Sequence, residues 1–140
     1  MLYLPDRDEM QEIDRRTIEE RGIPGILLME RAAISILDEI NARRTATLPG
    51  RLECLVVVEG GNNGGDGLAL ARLLAQQGDH VDVCYINGIS RVSESFAYQL
   101  EIVRKMGIEV TDVIPGKDYD VIVDGIFGVG LKRDVAGIWK

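Results

Sequence analysis

The chain has 140 residues, 46% of them hydrophobic, and carries a net charge of −7. That size and composition support a single globular domain with its own core and exclude a disordered chain. The acidic balance, with only 5% aromatic residues, excludes general binding to nucleic acid or to an anionic membrane, so any phosphate site has to be local.

No apolar run approaches the roughly 20 residues that a membrane span needs, and no leader pattern is present. The two cysteines, Cys54 and Cys84, fall in apolar runs without metal-type or CxxC spacing. They read as buried free thiols in a reducing, cytoplasmic protein.

Taken in order, the chain begins with a capping box. Asp6 is followed three residues on by Glu9, which predicts a helix to about residue 21, stopped by Gly22. Its apolar stripe is thin: Met10, Ile13 and Thr17. The turn Gly22-Ile23-Pro24-Gly25 opens a second helix with Met29, Ala33, Ile36, Leu37 and Ile40 on one face. The two predict an N-terminal α-hairpin.

Pro49-Gly50 delivers the chain to a first strand over 54–59. The octet Gly60-Gly61-Asn62-Asn63-Gly64-Gly65-Asp66-Gly67 follows as a glycine-rich turn, and a helix over 67–77 ends at Gly78. A strand over 81–86 and the Asn87-Gly88 turn come next. Ser90 or Ser93 then caps a helix bearing Phe96, Leu100 and Val103, which ends at Gly107. A third strand spans 108–113. After Pro115-Gly116-Lys117-Asp118, a fourth strand over 121–124 runs into a second glycine-rich loop, 125–133. No helical stretch separates the last two strands.

Strands alternating with helices predict a three-layer α/β/α, Rossmann-like sandwich around a mainly parallel sheet. Ligands in such sheets bind beyond the carboxyl ends of the strands. If the first and fourth strands are neighbours, their two glycine-rich loops converge on one crevice.

The octet is neither a P-loop nor the common dinucleotide fingerprint, because it lacks Gly-Lys-Ser/Thr and its glycines read GxxGxxG. Glycines ahead of a helix N-terminus still suit an anion. Asn62 and Asn63 add paired amides, although Asn and Asp also serve plain turns and Asp66 suits a helix cap. In the second loop, Lys132 and Arg133 suit a phosphate. Asn63 and Asp124 offer hard oxygen ligands fit for an alkali or alkaline-earth ion rather than zinc. His80, the lone histidine, reads as a surface residue sooner than as a general base.

The octet, the run Val-Asp-Gly-Ile-Phe-Gly-Val-Gly-Leu-Lys-Arg over 123–133, Gly137 and the segment 23–33 together resemble the YjeF N-terminal domain family, the NAD(P)H-hydrate epimerases. The resemblance implies epimerisation of the R and S forms of hydrated NADH and NADPH, damaged cofactors that a partner dehydratase then restores. It implies potassium as cofactor, with Asn63 and Asp124 as ligands, and often a homodimer. It implies substrate contacts from Asn62, Asn63, Gly64, Gly65 and Asp66. A second set comprises Gly128, Val129, Gly130, Leu131, Lys132, Arg133 and Asp134. No catalytic residue is assigned.

Two positions depart from the family pattern. Glu59 stands where glycine is usual and Val129 where threonine is common. The family also continues through a further strand into a Val-Asp-Ile-Pro-Ser-Gly segment beyond residue 140. The expectation is therefore one domain, 1–140, incomplete at its C-terminus. The alternative to an epimerase is a non-catalytic nucleotide-binding or protein-interaction module of the same fold.

Overall fold

The computed structural model describes residues 3–44, 50–86 and 91–128. The elements are α1 (Arg7–Glu19), α2 (Gly25–Arg43), β1 (Glu53–Val58), α3 (Asn62–Gln76), β2 (His80–Tyr85), α4 (Glu94–Lys105), β3 (Val110–Thr111) and β4 (Val121–Gly125). All strand pairings are parallel, in the order β3-β2-β1-β4. The chain moves outward from β1 to β3 through α3 and α4, then returns to lay β4 on the other side of β1. That reversal makes the gap between the ends of β1 and β4 the topological switch point of the sheet.

Helices α2, α3 and α4 share one face of the sheet. There Met29, Ala33, Leu68, Leu70, Leu74, Phe96 and Val103 pack with Cys54, Val56 and Val58. Alternate residues of β1 point to the other face, where Leu55 and Val57 join Cys84 under Tyr119 and Ile126. Residues 112–120, which contain no helix, return along that second face.

Helix α3 is the hub. Leu68, Ala69, Leu70, Ala71 and Leu74 are all fully buried, because α2, α4 and the sheet enclose the helix on three sides. Each such leucine contributes roughly 2 kcal/mol of burial.

The helix ends follow their chemistry. Asp6 accepts from Glu9 N–H at 2.9 Å while Glu9 accepts from Asp6 N–H at 2.8 Å, closing the capping box. Ser93, rather than Ser90, caps α4 by accepting from Phe96 N–H; Ser90 lies outside the described residues. Gly78 and Gly107 end α3 and α4 with φ of +98° and +72°.

Three expectations change. Ile36 is exposed, because it sits at the margin of the stripe that Met29, Ala33 and Leu37 turn toward α3. β3 shrinks to two residues. Ile108 N–H is used by Val103 O to finish α4, and Thr111 Oγ1 donates to Val113 O as the chain turns away. Finally, α1 buries none of its side chains, so the first two helices are joined by a short turn but only α2 belongs to the core.

The lower ends of the strands carry a polar network. His80 Nδ1 lies 2.8 Å from Glu53 Oε2, and Lys117 Nζ donates to Glu53 and Asp82 at 2.8 Å each. Just before these strand starts, buried Asp79 pairs with Arg44 and accepts from Leu52 N–H at 3.0 Å, tying the end of α2 to the start of β1. Both cysteines are free and buried, and burial pushes the Cys54 thiol up to about 12. Among the described residues no helix is long and apolar enough to cross a membrane.

Phe96 is fully buried and stacks at 5.0 Å, tilted, against Tyr85. Phe96→Ala is therefore expected to cost about 3–5 kcal/mol in urea denaturation, mostly from the cavity it leaves among α3, α4 and β2.

Candidate functional site at the carboxyl ends of β1 and β4

The octet is not a loop. Helix α3 starts at Asn62, with Gly61 as its N-cap, five residues before the expected start. Asn and Gly are poor helix formers, so packing supplies what propensity does not. A Cβ on Gly64 would collide with the carbonyl oxygen of Glu59. One on Gly65 would lie 2.6 Å from Met29 Cε, and one on Gly67 would lie 2.9 Å from Val58 Cγ1. None of these glycines has a positive φ. Their service is close approach: they let the helix start directly against the end of β1.

That start leaves donors unpaired. The first helical bond runs from Gly65 N–H to Gly61 O. Among the described residues nothing accepts from the amides of Asn62, Asn63 or Gly64, and no side chain caps the helix. Three amides and the positive end of the helix dipole thus face the switch point, an arrangement that binds anions. Glu59 reaches into the same mouth: its Oε2 accepts from Gly61 N–H at 3.2 Å.

The second loop closes on the first. β1 and β4 are neighbours, with Val57 opposite Asp124 and Val58 opposite Gly125. Asn63 Nδ2 donates to Phe127 O at 2.9 Å. A Cβ on Gly128 would lie 3.1 Å from Asn63 Cβ, and one on Gly125 would lie 3.4 Å from Asn63 O. Glycine at 125 and 128 therefore lets the loop pack onto the helix start. Asp124 is exposed on the strand end, and its Oδ1 accepts from Ile126 N–H at 2.9 Å.

The oxygen donors of this crevice suit a hard cation. The Phe127 contact fixes the Asn63 amide and leaves Oδ1 as an acceptor. Asp124 keeps its second oxygen. Thiolate and imidazole are remote: the cysteines lie inside the strands and His80 begins β2 at the opposite end of the sheet. Among the described residues no three His, Cys, Asp or Glu side chains gather as a metal site.

Asp66 is no helix cap but a second-turn residue of α3, half-buried, with no hydrogen bond among the described residues. Burial, and then the nearby Asp14 carboxylate of α1, raise it to about 6. A carboxyl that titrates there can hold or release a proton near neutral pH. Of the sequence candidates, the structure packs Asn63 against Gly125, Phe127 and Gly128, next to the strand end that carries Asp124; Asn62, Gly64, Gly65 and Asp66 share the first two turns of α3, where Asp66 neighbours Asp14 of α1. Val129, Gly130, Leu131, Lys132, Arg133 and Asp134 lie outside the described residues. His80 is not in the crevice. Glu59, singled out in the sequence as a departure from the family pattern, faces the helix mouth, whereas the action of Asp14 on Asp66 across 52 positions of sequence was not foreseen. Only the glutamate at the end of β1 offered a signal.

Two outcomes follow from this geometry. Gly64→Ala is expected to destabilise the chain by more than ~2 kcal/mol, because backbone rather than a side-chain end must yield, whereas Gly116→Ala, with open space around it, stays within ~0.5 kcal/mol in thermal melts. For Asp66, the unfolded chain loses a proton near its ordinary 3.8 while the folded chain keeps it to about 6. Stability therefore falls as pH rises through that window. Asp66→Asn should remove this slope and be more stable above it by about 1–2 kcal/mol, after allowance for solvent screening, in denaturation curves from pH 3.5 to 7.5.

Comparison with known proteins gives this crevice its context. The family model described as YjeF-related protein N-terminus matches residues 25–139. Proteins named NAD(P)H-hydrate epimerase from Weissella koreensis and Leuconostoc mesenteroides are 44% and 42% identical over 128 and 134 residues, covering 91% and 95% of this chain. One from Limosilactobacillus reuteri is 40% identical over 94% of the chain. The chain spans 56%, 58% and 61% of the lengths of these relatives. The crystal structure of yeast ynu0 superposes with a TM-score of 0.78 at 26% identity, over 98% of this chain and 61% of that one. The fold is thus of the three-layer α/β/α Rossmann-like class, of which the described residues form the sheet and one helical layer. A family match that covers both strand-end loops, with relatives above 40% identity, assigns the chain to the YjeF-related N-terminal family.

Proposed function

We propose that the chain epimerises the R and S forms of hydrated NADH and NADPH, as part of nicotinamide nucleotide repair. The observation that carries this reading is the junction of the two loops. Asn63 joins α3 to the Phe127 carbonyl beside three helix amides that have no acceptor among the described residues. Those amides suit the pyrophosphate of a dinucleotide. The relatives named for this activity support the choice of substrate.

Asn62, Asn63, Gly64, Gly65 and Asp66 would bind from the helix side. Gly128 and the segment Val129, Gly130, Leu131, Lys132, Arg133 and Asp134 would bind from the other. Asn63 and Asp124 would hold a potassium ion, whose positive charge would offset that of the substrate's phosphates. Epimerisation requires the hydroxyl-bearing carbon to exchange one face for the other. Asp66, which titrates at about 6, is the carboxyl suited to protonate a departing hydroxyl and to take a proton from the water that returns. Burial and the nearby Asp14 carboxylate raise it far enough to exchange a proton close to neutral pH.

A dehydratase acting on one epimer would consume the product. The exposed apolar side chains of the N-terminal arm, Tyr3, Leu4, Met10 and Ile13, support a homodimer. The buried free thiols support a reducing, cytoplasmic setting.

The test is epimer exchange. The purified R epimer of hydrated NADPH is incubated with the chain in potassium and in a non-binding cation, and the epimers are separated by chromatography. Exchange above the spontaneous rate is expected in potassium, reduced at least ~10-fold in Asp124→Ala. No acceleration by the native chain contradicts the reading. Saturable binding of the hydrate without turnover would identify a binding module instead.

A further inference from the structure

The mouth of α3 already contains an anion. Glu59 follows directly on β1 and is half-buried. Its carboxylate accepts from the amide of Gly61, the N-cap residue. The helix itself brings no acidic residue in its first turn and no capping side chain. A helix start normally draws its counter-charge from within the helix or from solvent. Here the charge comes from the strand end.

The backbone of residue 59 is held in place. Its carbonyl oxygen sits where a Cβ on Gly64 would lie. Its carboxylate can therefore leave the mouth by side-chain rotation but not by displacement of the chain. The contact with Gly61, at 3.2 Å, is a single ordinary hydrogen bond, which a stronger acceptor can replace.

Resting on the reading of this crevice as a nucleotide site, we propose that Glu59 is a specificity-determining charge filter. Its carboxylate holds the Gly61 amide in the free protein and repels phosphate groups approaching the mouth of α3. A small anion touches only the helix start and is rejected. A dinucleotide also reaches the loop at 126–128, which Asn63 ties to the helix, and those added contacts let it displace the glutamate. The site thereby discriminates against free phosphate and pyrophosphate, the abundant fragments of its own ligand.

The test compares the native chain with Glu59→Gln and Glu59→Ala by titration calorimetry. The probes are inorganic pyrophosphate and ADP-ribose, each at low and at high salt. Glutamine retains an acceptor for Gly61 N–H and removes the charge, and melting curves establish that both variants fold. Both variants are expected to bind pyrophosphate at least ~10-fold more tightly than the native chain at low salt, with a smaller gain at high salt. ADP-ribose should gain less than pyrophosphate, so the discrimination narrows.

Unchanged or weaker pyrophosphate binding in the variants overturns the filter while leaving the nucleotide site standing, provided ADP-ribose still binds. Weaker ADP-ribose binding in Glu59→Gln would make Glu59 a direct ligand contact and would also overturn it. If ADP-ribose binds none of the three proteins, the nucleotide reading falls together with the filter.

Discussion

The close approach of α3 to the end of β1 is the constraint on which the rest of this site depends. Helix start and strand end meet where Gly64 passes the carbonyl of Glu59, and any side chain at that position would force them apart. Three consequences come from this one contact. The helix starts early enough for the amides of Asn62, Asn63 and Gly64, which have no acceptor among the described residues, to lie at the switch point of the sheet. Asn63 comes within reach of Phe127 and so joins the two strand-end loops. Glu59 is held with its carboxylate at the helix mouth.

The two ends of the sheet divide the labour. At the lower end, Glu53, His80, Asp82 and Lys117 satisfy one another across β1, β2 and the return segment. Where β4 enters the sheet, Asp120 N–H donates to Glu53 O and Glu53 N–H to Asp120 Oδ2, at 2.8 Å each, in the register that sets Asp124 opposite Val57. At the upper end the polar groups are only partly satisfied among the described residues, and burial followed by the Asp14 carboxylate raises Asp66 to about 6. Polar groups that are satisfied rigidify a fold; those left waiting are where ligands and protons are handled.

Much of this was legible in the residues. The capping box at Asp6 and Glu9, the stops at Gly78 and Gly107, and the apolar run of β1 each follow from local chemistry, and the structure keeps them. Adjacency of β1 and β4 stood in the sequence only as a condition for the two loops to converge, and the sheet order meets it. The start of α3 was not legible, because glycine and asparagine signal a turn locally and become helical only when tertiary contacts on both sides hold them. Ile36 differs because it lies at the margin of the stripe that faces α3, and β3 is short because Ile108 N–H finishes α4 and Thr111 turns the chain away. The influence of Asp14 on Asp66 joins a peripheral helix to the crevice, and no spacing rule covers such a distance in sequence.

The account's central claim is that α3 and the two strand-end loops form one nucleotide site. The most direct measurement is a two-dimensional amide spectrum of the isotopically labelled chain titrated with hydrated NADPH. The account predicts that the amides of Asn62, Asn63 and Gly64 shift together with those of Gly125, Ile126 and Gly128, with one shared saturation curve, while His80 and Lys117 at the lower end of the sheet stay still. Shifts confined to one loop, or centred on the lower end, would contradict it.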